Sequence, residues 1–163
     1  MTRFSIFQRA VLLPSTPAEV YSFHEDPRNI TKISPASLRV ERVECGVPAK
    51  EGDEFRLRVR QFGLALEWVG FWEKAEPDSV LIDGARKAPF THWRHHHLFE
   101  RAGRNGEQTL MTDRVEYALR LPTPFGFLGH TLDRTLMRLI FTLMLWLATG
   151  RPRPISKRPR KTG

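Results

Sequence analysis

Apolar residues along this 163-residue chain recur mostly with a period of two, and only near the C-terminus with a period of three to four. Alternation marks a strand with one buried face, and three-to-four spacing marks an amphipathic helix. Residues 3–13 (RFSIFQRAVLL) predict an opening strand that Pro14 ends. Thr16, Pro17 and Glu19 then supply a capping box with proline at the first helical position, and Val20 and Phe23 form the buried side of a short helix. Asp26-Pro27 repeats the device and starts a second short helix carrying Ile30 and Ile33, stopped by Pro35.

Strand patterns follow over 38–44, 53–61, 64–75, 79–84, 90–101 and 108–120, each separated from the next by glycine or proline turn signals. In 53–61, Phe55, Leu57 and Val59 alternate with Glu54, Arg56, Arg58 and Arg60, which puts the arginines on a wet face. Short links between consecutive strands predict an antiparallel meander. After Pro122 and Pro124 a helix is predicted over 125–149, with Leu128, Leu132, Leu136, Leu139 or Ile140, Leu143 and Leu147 as its packing stripe. From residue 137 a second stripe appears, Met137, Phe141, Leu145 and Ala148, which one sheet cannot also cover. The fold class expected is α+β, a curved antiparallel sheet wrapped around a long C-terminal helix, with two short helices after the first strand. Such a sheet, gripped along one helix, leaves an internal cavity.

Charge divides the chain into a domain over 1–149 and a tail over 150–163. The net charge is +8, from 26 Lys and Arg against 18 Asp and Glu. Six of the basic residues, Arg151, Arg153, Lys157, Arg158, Arg160 and Lys161, lie in the tail, which has no acid, so the body carries only 20 (26 less six) against 18. Pro152, Pro154 and Pro159 break helix and strand there, so the tail is expected to be a solvated, disordered arm. A basic tail behind an apolar helix suits an anionic bilayer, at about 1 kcal/mol per basic residue near the surface. The second helical stripe serves equally as a homodimer contact. Specific nucleic-acid binding is not expected, because the sequence has no basic-faced helix, zinc finger or RNA-recognition motif.

The single cysteine, Cys45, excludes an intrachain disulfide and a thiolate zinc site. With no uninterrupted apolar leader at the start, this points to a reducing, cytoplasmic location, peripheral on the inner membrane face if the tail docks there. The run over 139–148 is too short to span a bilayer, which takes about 20 residues.

Candidate chemistry sits on the last two strands. In 90–101, Trp93, His95, His97 and Phe99 share one face, and His92, Arg94, His96 and Leu98 share the other. In 108–120, Met111, Asp113, Val115, Tyr117 and Leu119 form the more apolar face. If these faces coincide, His95 and His97 meet Asp113 in apolar surroundings, where a buried carboxylate needs a partner. The pair then works either as a general base on a bound ketone or phenol, or as a cross-strand hydrogen bond that fixes register. His95 and His97 with Asp113 also form a conceivable metal set, but no wider ligand motif accompanies them, and neither metal nor cofactor is expected. His24 and Asn29 could edge a pocket mouth, with solvated helix ends as the plainer expectation.

The chain resembles the START-like superfamily of helix-grip proteins, in particular the ligand-binding SRPBCC proteins called polyketide cyclase/dehydrase. The resemblance runs over roughly 3–148. It rests on Leu13-Pro14-x-x-Pro17-x-x-Val20-x-x-Phe23, on Asp26-Pro27-x-Asn29, on Ile33-x-Pro35, on Asp83 through Trp93 with His95, His97 and Phe99, on Thr109, Asp113, Val115 and Tyr117, and on Pro122, Gly126 and Gly129. Ala88 stands where the family pattern has glycine, and the basic tail is no part of that pattern. The resemblance implies a pocket for a hydrophobic small molecule, a lipid, isoprenoid or quinone, or aromatic compound. Phe55, Leu57, Trp68, Trp72, Trp93, Tyr117, Leu132 and Leu136 are then the candidate lining. It also implies an alternative, a cyclase/dehydrase-type enzyme whose catalytic residues are His95, His97 and Asp113. The sheet face of Trp68 and Trp72 stays open at this level.

Overall fold

The computed structural model describes residues 4–34, 38–61 and 63–119. The helix predicted over 125–149, with Leu132 and Leu136, and the basic residues of 150–163 lie outside the described residues. Within them, β1 (Ser5–Leu13) leads to α1 (Pro17–His24), a 3-10 turn (Pro27–Asn29) and α2 (Ile30–Ile33). Six strands follow, β2 (Leu38–Glu44), β3 (Glu54–Gln61), β4 (Leu64–Glu76), β5 (Val80–Lys87), β6 (Phe90–Ala102) and β7 (Gln108–Leu119). With β1 they form one curved antiparallel sheet of seven strands in the order β1-β7-β6-β5-β4-β3-β2, the predicted meander extended by β1 pairing with β7. Among the described residues no helix is long and apolar enough to cross a membrane.

The local signals act as their chemistry requires. The Thr16 Oγ1 hydroxyl accepts from the Glu19 backbone N–H at 3.4 Å, and the Glu19 carboxylate accepts from the Thr16 N–H at 2.8 Å, which completes the capping box. Asp26 accepts from the Arg28 N–H at 3.0 Å and opens the 3-10 turn that continues into α2. The buried side of α1 is Val20 and Tyr21, the latter edge-on to Phe99 at 5.7 Å, whereas Phe23 turns towards a cavity. The difference arises because α1 meets the sheet at β5, β6 and β7 rather than lying along a single strand.

β5 extends past the predicted 79–84 to Lys87. Gly84 and Ala85, too small to show an alternation, pair with Phe71 and Gly70 of β4. Register shifts in β4 against β5, between Val69 and Gly70 and between Trp72 and Lys74, bend the sheet there. Gly70 also lets its cross-strand partner Phe55 lie over the backbone, since a Cβ at that position would come within 2.2 Å of the Phe55 ring. That ring packs at 4.9 Å from Trp72. Around it the core gathers Val11, Val20, Tyr21, Leu81, Phe99 and Met111, all nearly excluded from water. Each such side chain contributes about 1.5–3 kcal/mol by burial. A smaller cluster of Phe7, Val115 and Tyr117 is packed by Phe90 and Trp93. On the outer face Arg56, Arg58 and Arg60 are exposed and pair with Glu54 and Glu41.

Candidate functional site

A cavity of about 330 Å³ lies between the concave face of the sheet and the turn that joins α1 to α2. Its walls follow from the pleat: along β3 the residues Phe55, Leu57 and Val59 point in, and along β4 Leu66, Trp68 and Trp72 do the same. Trp68 meets Trp93 edge-on at 4.8 Å, and Phe90 sits 4.9 Å from Trp93, so one end of the cavity is a cluster of rings. From the helical side come Phe23, His24, Asn29, Ile30 and Ile33.

One wall is polar. His95 and His97 occupy successive inward positions of β6, with Asp83 of β5 directly opposite His95 and Asp113 of β7 directly opposite His97. The Asp113 carboxylate accepts from His97 Nδ1 at 2.7 Å and lies 3.4 Å from His95 Nε2. With that acceptor in place Nδ1 of His97 carries the proton, and Nε2 is the ring nitrogen on the side of Asp83. Asp83 is held from the other side, where Trp93 Nε1–H donates to its Oδ1 at 3.0 Å. Its second oxygen, Oδ2, lies 3.5 Å from His95 Nδ1 and 3.9 Å from His97 Nε2. The two imidazole centres are 3.9 Å apart, and His24 stands 5.1 Å from His97 with its own Nδ1 on the Val20 carbonyl at 2.7 Å.

The two carboxylates are driven in opposite directions. Burial pushes Asp83 up to about 6, against the pull of His97 and the Trp93 hydrogen bond. Burial acts the same way on Asp113, but hydrogen bonds from His95 and His97 and the charge of both imidazoles outweigh it and hold this carboxyl well below the usual range. Burial, reinforced by His97, pushes His24 down to about 4 despite the attraction of Asp113. One wall therefore combines an ionised carboxylate with one that can hold a proton near pH 6, separated by two imidazoles. Such a pair of environments can fix, donate or accept a proton at an oxygen atom of a bound molecule.

Of the residues singled out from sequence, His95, His97, Asp113, Phe55, Leu57, Trp68, Trp72 and Trp93 all line the cavity, and this places Trp68 and Trp72 on the concave face. Tyr117 is buried against Phe90, centroid to centroid at 6.3 Å, and is not part of the lining. His24 and Asn29 face the cavity rather than solvent, because the Asn29 amide donates to the Phe23 carbonyl at 2.8 Å and folds the turn inward. Sequence reading missed Asp83 as a site residue. Its signal was an acid directly after the apolar run Val80-Leu81-Ile82, but its partners lie on a strand whose register no local pattern reveals. Asp83, His95 and His97 each offer a ligand atom within 4.8 Å of the others, so the metal-capable set contains Asp83 in place of Asp113.

Comparison with known proteins places this architecture. TTHA0849 from Thermus thermophilus superimposes with a TM-score of 0.68 at 21% identity, covering 88% of this chain and 93% of that one. The Zhui aromatase/cyclase from a Streptomyces species gives 0.61 at 15% identity, over 90% and 94%. A START superfamily protein from Mycobacterium smegmatis gives 0.62 at 14% identity, over 88% and 97%. The chain has a START-like fold. No protein-family model and no curated protein matches the sequence. In this START-like fold the cavity is the space on the concave side of the sheet, and the His–Asp wall is formed by its β5, β6 and β7 strands.

Proposed function

We propose that this protein binds a hydrophobic small molecule, a lipid, isoprenoid or quinone, or aromatic compound with an oxygen function at one end. The observation that carries this reading is the cavity itself: aromatic and aliphatic on most sides, with Asp83, His95, His97 and Asp113 gathered on one wall and His24, Asp26 and Asn29 on the helical side. Binding sites for such ligands combine an apolar envelope with a few polar groups that set orientation. Trp68, Trp72 and Trp93 border the cavity without filling it, which argues against a domain whose interior is incidental packing. START superfamily and aromatase/cyclase proteins among the structural neighbours support the same reading.

Native mass spectrometry of protein purified from its own host tests it, with a co-purified nonpolar compound expected at one per chain. Leu57→Trp, which puts an indole into the cavity, should release that compound and abolish saturable binding of a hydrophobic fluorescent probe. Absence of any bound compound together with unsaturable probe binding in the unsubstituted protein counts against the proposal.

A second reading, a cyclase/dehydrase-type enzyme, is favoured by the 2.7 Å contact between His97 and an ionised Asp113, which holds the imidazole in place on the cavity wall. Asp113→Asn separates the two: an enzyme loses turnover with affinity retained, whereas a carrier changes in stability or affinity alone. Docking on an anionic bilayer through Arg151, Arg153, Lys157, Arg158, Arg160 and Lys161 rests on sequence. Sedimentation with anionic vesicles should lose the chain when it is ended at Thr149, and equal pelleting of both lengths removes this part of the proposal.

A further inference from the structure

We propose that Asp83, His95 and His97 form a binding site for a divalent first-row transition-metal ion, with its open coordination positions facing the apolar cavity. Three atoms make the site: Asp83 Oδ2, His95 Nδ1 and His97 Nε2. Oδ2 lies 3.5 Å from the first nitrogen and 3.9 Å from the second. Both separations exceed a hydrogen bond. All three atoms lie within 4.8 Å of one another, whereas ligands held about 2.0–2.2 Å from one ion stand about 3–3.5 Å apart, so rotations of the rings and carboxylate that draw them together by up to about an ångström complete the set.

The surroundings of these three side chains are those a metal site needs. A ligating imidazole usually gives its other ring N–H to a carboxylate, which fixes both tautomer and ring plane. Asp113 does this for His97 at 2.7 Å, and the same Oδ1 lies 3.4 Å from His95 Nε2, the nitrogen on the far side of the ring from Asp83. A ligating carboxylate is likewise steadied by a donor on its outer oxygen, and Trp93 Nε1 supplies one to Asp83 Oδ1 at 3.0 Å. Asp83 and His97 therefore have their outward atoms hydrogen-bonded, His95 has its outward nitrogen beside the same carboxylate, and the inward atoms of all three lie within 4.8 Å of one another. Charge agrees: a dication with one ligating carboxylate and two neutral imidazoles keeps one positive charge, which Asp113 balances. Two nitrogens and one oxygen suit zinc or ferrous iron better than magnesium or calcium, which prefer all-oxygen sets. Three protein ligands on one wall leave the remaining positions for water or for an oxygen atom of a bound molecule.

The site does not depend on what hydrophobic molecule the cavity accepts. A metal on His97 Nε2 also occupies the lone pair that a general base needs, so metal-loaded and metal-free protein cannot perform the same chemistry.

The test uses the full chain, stripped with a chelator, dialysed, and titrated separately with Co²⁺ and Zn²⁺. The expected result is one Co²⁺ per chain with visible d–d absorption, displaced by Zn²⁺. Asp83→Asn and His95→Gln should each weaken binding at least about 100-fold, and Asp113→Asn about 10- to 100-fold through loss of positioning. His96→Gln, on the opposite face of the same strand, should leave affinity unchanged. Circular dichroism confirms that each variant is folded, and having two ligand substitutions keeps the test open should one of them fail to fold. The proposal is overturned by no saturable binding below about 100 μM in the folded parent protein, by equal affinity in the parent and a folded ligand variant, or by binding that follows His96 instead.

Discussion

The two faces of β6 carry the same residue types under opposite rules. Outward, His92 and His96 approach Glu116 at 3.7 and 3.9 Å, but Arg114 already pairs with that carboxylate, and Arg94 pairs with Glu73 at 2.5 Å. Inward, no lysine or arginine lines the cavity among the described residues, and Asp83 and Asp113 have imidazoles and one indole N–H as their partners. Permanent guanidinium charges on the outside neutralise acids at any physiological pH. On the inside, among the described residues, the only cationic partners are titratable imidazoles, so the inner wall depends on protons, and by the proposal above on metal ions, for what the outer one obtains from permanent guanidinium charge.

The largest effect should come from Asp113→Ala, which removes the acceptor of the 2.7 Å His97 bond from a buried setting and should cost about 3 kcal/mol in chemical denaturation. Glu116→Ala on the outer face should cost about 1 kcal/mol, since Arg114 is partly exposed and regains water. Equal losses from the two substitutions would erase the contrast between the faces.

Next comes pH. Burial holds Asp83 at about 6, above its ordinary value of 3.8. Its contribution to stability is therefore complete below about 4 and is lost as pH rises through about 6. In metal-free protein Asp83→Asn should abolish that fall, so that the variant gains about 1–3 kcal/mol on the parent between pH 4 and 7, read from denaturation midpoints. His24 has the opposite sign. Its value of about 4 lies below the ordinary 6.5, so its contribution is complete above 6.5 and lost as pH falls through 4, and His24→Gln should flatten the acid limb. Parallel pH profiles for both variants and parent would show that burial does not control these groups.

An effect of similar size is expected of Gly70→Ala. The added Cβ would sit 2.2 Å from the Phe55 ring and push it towards the cavity. Overpacking of this kind costs about 1–3 kcal/mol and should also reduce the affinity of a hydrophobic probe. The smallest is His96→Gln, expected to stay within about 0.5–1 kcal/mol of the parent, because Arg114 remains with Glu116. A probe affinity unchanged by Gly70→Ala would separate Phe55 from ligand contact.

The strands were legible because their faces differ: Phe55, Leu57 and Val59 against the arginines of β3, or Trp93, His95 and His97 against Arg94 and His96. Capping at Thr16 and Asp26 was legible because its hydrogen bonds span only three residues or fewer. The neighbourhood of Asp83 was not. A one-residue slip of β5 against β6 would turn Asp83 away from His95 without altering any local pattern. The inward turn of His24 was hidden for the same reason, since only the placement of α1 against β6 brings its ring 5.1 Å from His97.

By itself the amino-acid order determined which segments become strands, where the short helices start, and that His95 and His97 share one face of their strand, because alternation and capping act between residues a few positions apart; that Asp113 joins them was settled by the pairing of β6 with β7. Only the assembled sheet decided that Asp83 opposes His95, that Trp93 anchors Asp83, and that a cavity of about 330 Å³ remains beside them. Those facts depend on register and curvature, which arise from contacts between strands and helices remote in the chain.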